Sequence, residues 1–305
     1  MFCIPSTKAA ITWQSDLGPL WHSLLVFNCH QLPTLAMIME SETLLTLPAE
    51  LERVIFELAA WQDPKSITTL ILVAKRICIW IEPQLYRIVL STGSTDQLLQ
   101  MMRSKPPEFL REHVHHLAFS APISRGDVAR ILSICTNVHD LAVWTGDTYP
   151  DLLSDMRNLP NLRRLSTCLS DLFGGPDQFR LPPIEELPFS HLTHLDVFGD
   201  MPAALWPVFR MLPCLTHLSF SDNYTPEMIQ MALDTCAALQ FLVIVWMDSL
   251  EFEALDTSAI ADPRFCTIEC VLFKDDWKEG ALGGLDFWLR ADMEHKSRRE
   301  RPGSS

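Results

Sequence analysis

The side chains best suited to chemistry in this sequence are histidines, which gather in two parts of the chain. The grouped histidines are His113, His115 and His116, followed by His191, His194 and His217. Imidazole acts as a general acid or base near neutral pH and is a common zinc ligand. A zinc site needs at least three protein ligands, and the repeat described below brings only His194 and His217 side by side. We therefore predict that the chain holds no metal ion and uses no cofactor.

Cysteine is the second residue type that could carry chemistry, and its pattern favours neither a metal site nor a disulfide framework. The nine cysteines are odd in number and are scattered through apolar stretches. The closest pair, Cys266 and Cys270, has no second pair at a zinc-site spacing. We expect reduced, mostly buried thiols, as in proteins of the cytoplasm or the nucleus.

Motifs of the familiar enzyme classes are absent from the sequence. It contains no phosphate-binding glycine-rich loop, no Gly-x-Ser-x-Gly turn and no His-Glu-x-x-His pair. The formal net charge of -14 disfavours nucleic acid as a partner, because phosphate binding depends on lysine and arginine. It disfavours anionic membranes likewise, and no apolar run is long enough to span a bilayer. We predict a protein that is not an enzyme and binds neither nucleic acid nor membrane.

A repeated Leu-x-x-Leu-x-apolar pattern predicts the elements that position the histidines. Its middle anchors are Leu117, Leu141, Leu165, Leu195, Leu218, Leu242 and Val271. Successive anchors lie 23 to 30 residues apart, a period typical of a solenoid with one strand and one helix per repeat. Capping residues, alone or with a proline, indicate helix starts at Ser124, at Thr148 with Pro150, and at Thr225 with Pro226. We predict seven short parallel strands centred on the anchors.

Residues that flank each middle anchor point away from the helices and form what we call the concave face. One row would contain His116, Asp140, Arg164, His194, His217 and Phe241 as neighbours on successive strands. Asp196 belongs to the next row, and Trp144 and Phe198 stand one step further along their strands. A mixed polar and aromatic surface is typical of protein interfaces. We predict that all nine of these side chains contact a protein partner.

Three short helices are predicted ahead of the repeats, between Leu47 and Leu90. In the first, one apolar stripe, which we expect to be buried, contains Leu51, Val54, Ile55, Leu58 and Ala59. Phe56 lies outside that stripe and needs another surface to cover it. The second helix is indicated by Asp63 with Pro64, and the third spans Arg76 to Ile81. So small a core calls for a partner or a following domain to complete it.

The order of residues in this stretch resembles the F-box, the helical module by which substrate receptors dock onto the Skp adaptor of cullin-RING ubiquitin ligases. The motifs that carry the resemblance are Leu47-Pro48-x-Glu50-Leu51, Ile55-Phe56 and Pro83-x-Leu85-Tyr86-Arg87. They are similar to the divergent F-boxes of mushroom-forming, basidiomycete fungi. The resemblance implies that the adaptor is faced or supported by Leu47, Pro48, Leu51, Ile55, Phe56 and Trp80. The alternative is an ordinary helical cap on the solenoid.

The repeats resemble the leucine-rich repeats that follow the F-box in many substrate receptors, particularly the cysteine-bearing kind, as at Cys236-Ala237-Ala238-Leu239. Only Asn223 occupies the asparagine position of that family, so we expect an irregular array. The aromatic and glycine-rich segment from Trp277 to Trp288 is expected to cap the last apolar face of the solenoid.

These expectations together describe an α/β repeat protein in four parts. They are a poorly structured extension (1–46, with a natural start near Met37 or Met39), an F-box-like helical module (47–90), a leucine-rich-repeat-like solenoid with its cap (91–293) and a flexible tail (294–305). The resemblance implies a non-catalytic substrate-receptor subunit of an SCF-type cullin-RING ubiquitin ligase that captures an unknown protein substrate on the repeat face. It would work in the cytoplasm, the nucleus or both. The alternative is a leucine-rich-repeat scaffold for protein–protein interaction without ligase association.

Overall fold

The computed structural model divides the chain into two compact units. The residues it describes are 47–91, 95–120, 122–145, 151–175, 181, 183, 187–221, 224–247 and 260–300. The predicted extension (1–46), the end of the predicted tail (301–305) and the signals at Thr148, Pro150 and Asn223 lie outside those residues. The first unit ends at Glu82 and the second begins at Pro83, so the boundary precedes the predicted one at Leu90.

The described part of the first unit is helical. Helix α1 spans Ala49–Gln62, α2 spans Ile67–Leu70 and α3 spans Lys75–Tyr86, with a 3₁₀ turn at Pro64–Ser66. The Asp63 carboxylate accepts a hydrogen bond from the backbone N–H of Lys65, which confirms the predicted cap. Helix α3 continues through Pro83 to Tyr86 instead of ending before it, although a proline removes one backbone donor and crowds the preceding turn.

The second unit is built on one parallel sheet of eight strands that lie in the order of the sequence. The strands are β1 Ile88–Ser91, β2 His116–Phe119, β3 Asp140–Val143, β4 Arg164–Thr167, β5 His194–Val197, β6 His217–Phe220, β7 Phe241–Trp246 and β8 Phe265–Glu269. An α/β fold with a single parallel sheet is therefore confirmed.

Six of the predicted anchors pair residue by residue across the sheet. Leu117 lies opposite Leu141, and the same register continues through the anchors of β4, β5 and β6 to Leu242. All six leucines are at most 2% exposed. Each strand thus contributes one fully buried leucine to the same line, which is why the pattern fixes the register so well.

The first and last strands differ from the prediction. Strand β1 was assigned to the helical module, yet its Val89 lies opposite Leu117. The last strand was placed around Val271, but Phe265 is the residue opposite Leu242, and Val271 is 61% exposed. The apolar residues after Cys270 have the spacing of the repeat but do not form the strand. In the strand itself, the positions opposite Leu242, Val243 and Ile244 are a phenylalanine, a cysteine and a threonine.

Helices cover the anchor side of the sheet. They are α4 Thr95–Ser104, α5 Pro107–His113, α6 Arg125–Ile134, α7 Leu152–Asp155, α8 Leu169–Leu172, α9 Trp206–Arg210 and α10 Pro226–Thr235, with 3₁₀ turns at Met156–Asn158 and Ala203–Leu205. Ser124 and Thr225 cap α6 and α10 through their hydroxyls, as predicted. One apolar core joins the strand anchors to helix residues such as Ile131 and Ile229.

Within the described residues, no helix combines the length and apolarity needed to cross a membrane.

Four cysteines are buried free thiols, namely Cys135, Cys236, Cys266 and Cys270. Burial raises the pKa of Cys135 to about 12. Cys78, by contrast, is disulfide-bonded, which corrects the expectation of a reduced thiol at that position.

Candidate protein-binding surfaces

One face of helix α1 carries large apolar side chains that are open to solvent. We define the α1 stripe as Leu47, Leu51, Val54, Ile55, Leu58 and Trp61, which are 41% to 58% exposed. Leu47 precedes the helix, and from Leu51 to Trp61 the spacing of one, three and four residues places the others on one continuous face. The expectation of a buried stripe is therefore wrong for Leu51, Val54, Ile55 and Leu58, whereas its fifth member, Ala59, is half-buried. The period identifies the apolar face of the helix correctly but not the surface that covers it.

The opposite face of α1 packs inside the first unit. Ala60 is buried there and Phe56 is half-buried. The Arg76 guanidinium donates to both carboxylate oxygens of Glu52, at 2.7 and 2.8 Å, and so links α3 to α1. This hydrogen bond lowers the pKa of Glu52. Ile55, which was expected to be buried, is thus exposed, and Phe56, which was expected to need another surface, is half-buried within the unit. The buried residue of the inner face is Ala60, whose small side chain lets helices approach closely.

The residues predicted to face or support an adaptor fall into two groups. Leu47, Pro48, Leu51 and Ile55 are exposed, whereas Phe56 and Trp80 are half-buried within the unit. Contiguous exposed apolar surface is uncommon on proteins without a partner. The four exposed residues are therefore placed where a partner protein could cover them.

The predicted row of the concave face is formed by the sheet. His116, Asp140, Arg164, His194, His217 and Phe241 lie opposite one another in register on strands β2 to β7. The row is not open, however. His116 is 8% exposed and Asp140 is 4% exposed. Another part of the chain covers them.

The cover consists of two C-terminal helices, which we call the closing segment. Helix α11 spans Phe273–Ala281 and helix α12 spans Phe287–Glu300. Gly283 turns the chain between them with φ of 81°, a conformation that favours glycine. The predicted cap therefore lies over the concave face, not only at the end of the solenoid. The predicted flexible tail begins inside α12, because that helix continues to Glu300.

Polar contacts join the closing segment to the row. The Trp277 indole N–H donates to Oδ1 of Asp140 at 3.0 Å. The Arg164 guanidinium pairs with the Asp286 carboxylate at 3.0 Å. Nε2 of His217 lies 3.3 Å from Oδ1 of Asp292. Three residues predicted to contact a partner are therefore already paired within the chain.

Aromatic contacts complete the cover. The Trp144 ring centroid lies 5.2 Å from that of Phe273 and 5.8 Å from that of Trp277. Phe241 contacts the His295 ring, with centroids 5.0 Å apart. Trp144, which is predicted to contact a protein partner, is half-buried and packs on the closing segment instead. Phe198, its predicted companion, is also half-buried.

Helix α12 is attached more firmly than α11. A second apolar core contains Val243, Val245, Cys266, Cys270, Phe287, Trp288 and Ala291. It joins the start of α12 to strands β7 and β8. The fully buried part of α11 is Ala281 alone. The two helices of the closing segment therefore differ in how much apolar surface holds them.

The stacked pair His194 and His217 lies under α12. Their ring centroids are 4.0 Å apart with 10° between the planes, and Trp288 meets His194 edge-on at 5.2 Å. Burial, followed by the charges of His217 and Arg164, lowers the pKa of His194 to about 2. Burial also lowers the pKa of His217, although Asp292 opposes that shift. The pair is neutral at physiological pH and is not set up for acid–base catalysis.

Asp196 is the most heavily bonded side chain of the next row. It is 3% exposed and accepts hydrogen bonds from the hydroxyls of Ser166, Ser219 and Ser221 at 2.6, 2.6 and 2.9 Å. Ser166 in turn accepts from the Trp144 indole N–H at 2.8 Å. A buried carboxylate with this many donors stabilises the sheet. A direct partner contact by Asp196 would require the cover to move.

The space beneath the closing segment is too small for a ligand. A cavity of about 20 Å³ is lined by residues that include Asp140, Arg164, His194, Asp276 and Asp286. Such a volume accommodates about one water molecule. Within the described ranges, no group of three or more histidine, cysteine, aspartate or glutamate side chains is arranged to bind a metal ion.

Sequence reasoning missed the residues that occupy the concave face. Trp277 and Asp286 were recognised only as part of an aromatic and glycine-rich segment, and Asp292 was not considered. A signal was present in the row itself. Asp140 and Arg164 stand in the middle of a sheet face, where a polar residue from elsewhere in the chain can pair with each.

Sequence comparisons add no relative to this picture, since no protein-family model matches the chain and no curated protein matches it. Functional inference therefore depends on the geometry of the α1 stripe and the covered concave face, together with the sequence motifs.

Proposed function

We propose that this chain is a non-catalytic substrate-receptor subunit of an SCF-type cullin-RING ubiquitin ligase. The first unit acts as a divergent F-box that docks onto the Skp adaptor, and the second acts as a leucine-rich-repeat-like domain that captures a protein substrate. It works in the cytoplasm, the nucleus or both. Catalysis belongs to partner subunits.

The α1 stripe is the observation that carries this proposal. Motif residues that the resemblance assigns to the adaptor, Leu47, Leu51 and Ile55, are about half exposed and lie in one line. Keeping such a line in water costs free energy that a partner recovers by covering it, at roughly 25 cal/mol per Å² of apolar surface. An amphipathic helix that offers such a line to a partner is a common mode of recognition.

The second unit supports the receptor half of the proposal through its architecture. Strands repeat in parallel with helices on one side, so that the other side of the sheet forms a broad face. Faces of this kind bind proteins in repeat architectures. The net charge of -14 makes a protein a better partner for it than nucleic acid.

One observation favours a second candidate, a repeat scaffold without ligase association. The closing segment already covers the row predicted to bind substrate, as the Trp277–Asp140 and Asp286–Arg164 contacts show. A scaffold would use other surfaces and would not require the concave face to open. In that case α1 would serve as a helical cap, and its stripe would contact a partner unrelated to the ligase.

Affinity capture under native conditions separates the two candidates. The tagged full chain is expected to co-purify with a Skp adaptor and a cullin, identified by mass spectrometry. A chain with Leu51→Ala and Ile55→Ala should lose both, while Arg53→Ala with Glu57→Ala, an exposed ion pair of α1 outside the stripe, should retain them. Capture of neither subunit by the wild-type chain would refute the ligase proposal and favour the scaffold.

A further inference from the structure

We propose that residues 273–286, which we call the strap, are an internal ligand of the concave face. The face would take from a partner protein a peptide of the same chemistry, namely an aromatic side chain with an N–H donor followed by a carboxylate. This inference rests on the proposed function, because it names the class of substrate that the receptor would capture.

Two neighbouring positions in the row define that chemistry. Asp140 and Arg164 lie opposite each other on β3 and β4. The Asp140 carboxylate accepts from the Trp277 indole N–H at 3.0 Å. The Arg164 guanidinium pairs with the Asp286 carboxylate at 3.0 Å. An acceptor and a cation side by side on a rigid sheet thus hold a donor and an anion from the strap.

Aromatic side chains on the same face form the slot around the indole. The Trp144 and His116 rings both meet Trp277 edge-on, with centroids 5.8 and 6.3 Å away. Trp144 also contacts Phe273 at 5.2 Å. Edge-to-face contacts of this kind favour an aromatic occupant over an aliphatic one.

The strap is held loosely compared with the elements on either side. Of the side chains of α11, Ala281 is the fully buried one. The residues that bracket the strap, Cys270 and Phe287, are buried in the second apolar core. The Arg164 side chain remains 35% exposed despite its pairing. Phe273 packs against that core and Asp286 accepts from the Leu289 N–H, so release of the Trp277 and Asp286 side chains from the sheet would loosen these contacts while Cys270 and Phe287 stay buried.

One latch opposes that movement. The Asp276 carboxylate accepts from the backbone N–H of Phe287 at 2.8 Å and pairs with Arg290 at 2.6 Å. Burial raises the pKa of Asp276, so the environment partly destabilises the charged form that makes the latch. The cavity of about 20 Å³ between the strap and the sheet shows that the internal fit is incomplete. A competing peptide would therefore have to displace the strap, because this space holds only about one water molecule.

The test uses the full chain and a fluorescent peptide that copies residues 273–286. The loosened variant carries Trp277→Phe, which removes the indole N–H, and Asp286→Asn, which removes the charge but keeps an oxygen to accept from the Leu289 N–H. The peptide should bind the loosened variant about tenfold more tightly than the wild-type chain, whose own strap competes. A control peptide with the same two substitutions should bind neither chain, and adding Arg164→Gln should abolish binding.

Equal affinity for both chains, or binding that ignores the two peptide substitutions, would overturn the proposal. If the loosened variant fails to fold, hydrogen exchange on the wild-type chain decides. Amides of α11 should exchange faster than those of residues 291–297 in the middle of α12, and equal protection would make the strap a fixed part of the fold. No adaptor is present in these measurements, so failure of the ligase proposal would leave their result unchanged.

Discussion

For the α1 stripe and for the row of the concave face, the sequence pattern groups the right residues, but the expected exposure of each group is reversed in the structure. The stripe is apolar and was expected to be buried, but it faces solvent. The row is polar and was expected to face a partner, but it lies beneath the closing segment. In both cases the residues share the face that the period assigns to them. What covers that face depends on a part of the molecule that the local period does not describe.

Side-chain pairing explains why the polar row can be covered. Charged residues that the closing segment buries have partners in reach, as Arg164 has in Asp286 and Asp140 has in Trp277, although Nε2 of His116 is buried without a hydrogen-bond partner. Burying such groups without partners would cost several kcal/mol each. The α1 stripe faces the reverse problem, since its leucines need only an apolar surface. A polar face can thus be covered by polar side chains of the same chain that pair with it, whereas an apolar face can be covered by any complementary apolar surface.

The largest effect is expected from Asp196→Ala, which tests whether the concave face is an interior. The change leaves the hydroxyls of Ser166, Ser219 and Ser221 without their shared acceptor. Unfolding free energy should fall by about 3 kcal/mol, since hydrogen bonds to a charged group contribute about 1.5 to 3 kcal/mol. Urea unfolding monitored by circular dichroism measures the change. Glu269→Ala, at an exposed position of β8, should stay within about 0.5 kcal/mol, and equal effects would mean that the face is not closed.

A smaller effect is expected from acid, which sharpens the comparison at the buried histidine pair. The unfolded chain binds a proton on His194 near pH 6.5, whereas burial lowers the native pKa to about 2. Below pH 6.5 the unfolded state therefore takes up protons that the native state does not, and stability falls. Between pH 7 and pH 4, the wild-type chain should lose about 3 kcal/mol more than His194→Gln.

Urea unfolding at the two pH values gives this difference directly. His191, which is exposed, supplies the matched control, because His191→Gln should follow the wild-type chain. A His194→Gln variant with the same acid sensitivity as the wild-type chain would indicate that the closing segment leaves this pair open to water.

The smallest effect on stability is expected at the α1 stripe. Ile55→Ala removes a side chain that is 51% exposed, so unfolding free energy should change by less than about 0.5 kcal/mol. Phe56→Ala, at the half-buried neighbour, should cost about 1 kcal/mol or more. Thermal melting of both variants tests the order. The reverse order would return Ile55 to the core and leave the stripe unavailable to a partner.

The sheet was predictable because each repeat carries the same constraint. Leu117 and the five anchors that follow it are buried in one line, so a shift of one residue would turn every one of them to the other face. The position of strand β8 was predicted wrongly because Phe265 stands where the other strands have a leucine. The apolar Val271 follows at a distance that matches the repeat period and was taken for the anchor. Strand β1 was not predicted because no repeat precedes it from which the spacing of the anchors could be extended.

The candidate surfaces were less predictable because they depend on contacts between residues far apart in the sequence. Trp277 reaches Asp140 and Asp286 reaches Arg164 across more than a hundred residues. A period in the sequence reports the face of an element, not such distant pairs. Within α1 the inner face is marked by alanines, whose small size lets helices approach but gives no strong apolar signal.

The central claim is that the α1 stripe binds a Skp adaptor, and titration calorimetry with purified adaptor tests it most directly. The wild-type chain should bind, and Leu51→Ala with Ile55→Ala should weaken binding by about a hundredfold or more, since two buried aliphatic side chains together contribute about 3 to 6 kcal/mol. The ion pair outside the stripe, changed as Arg53→Ala with Glu57→Ala, should leave binding at the wild-type level. Wild-type affinity in the stripe variant, or no binding by the wild-type chain, would contradict the account.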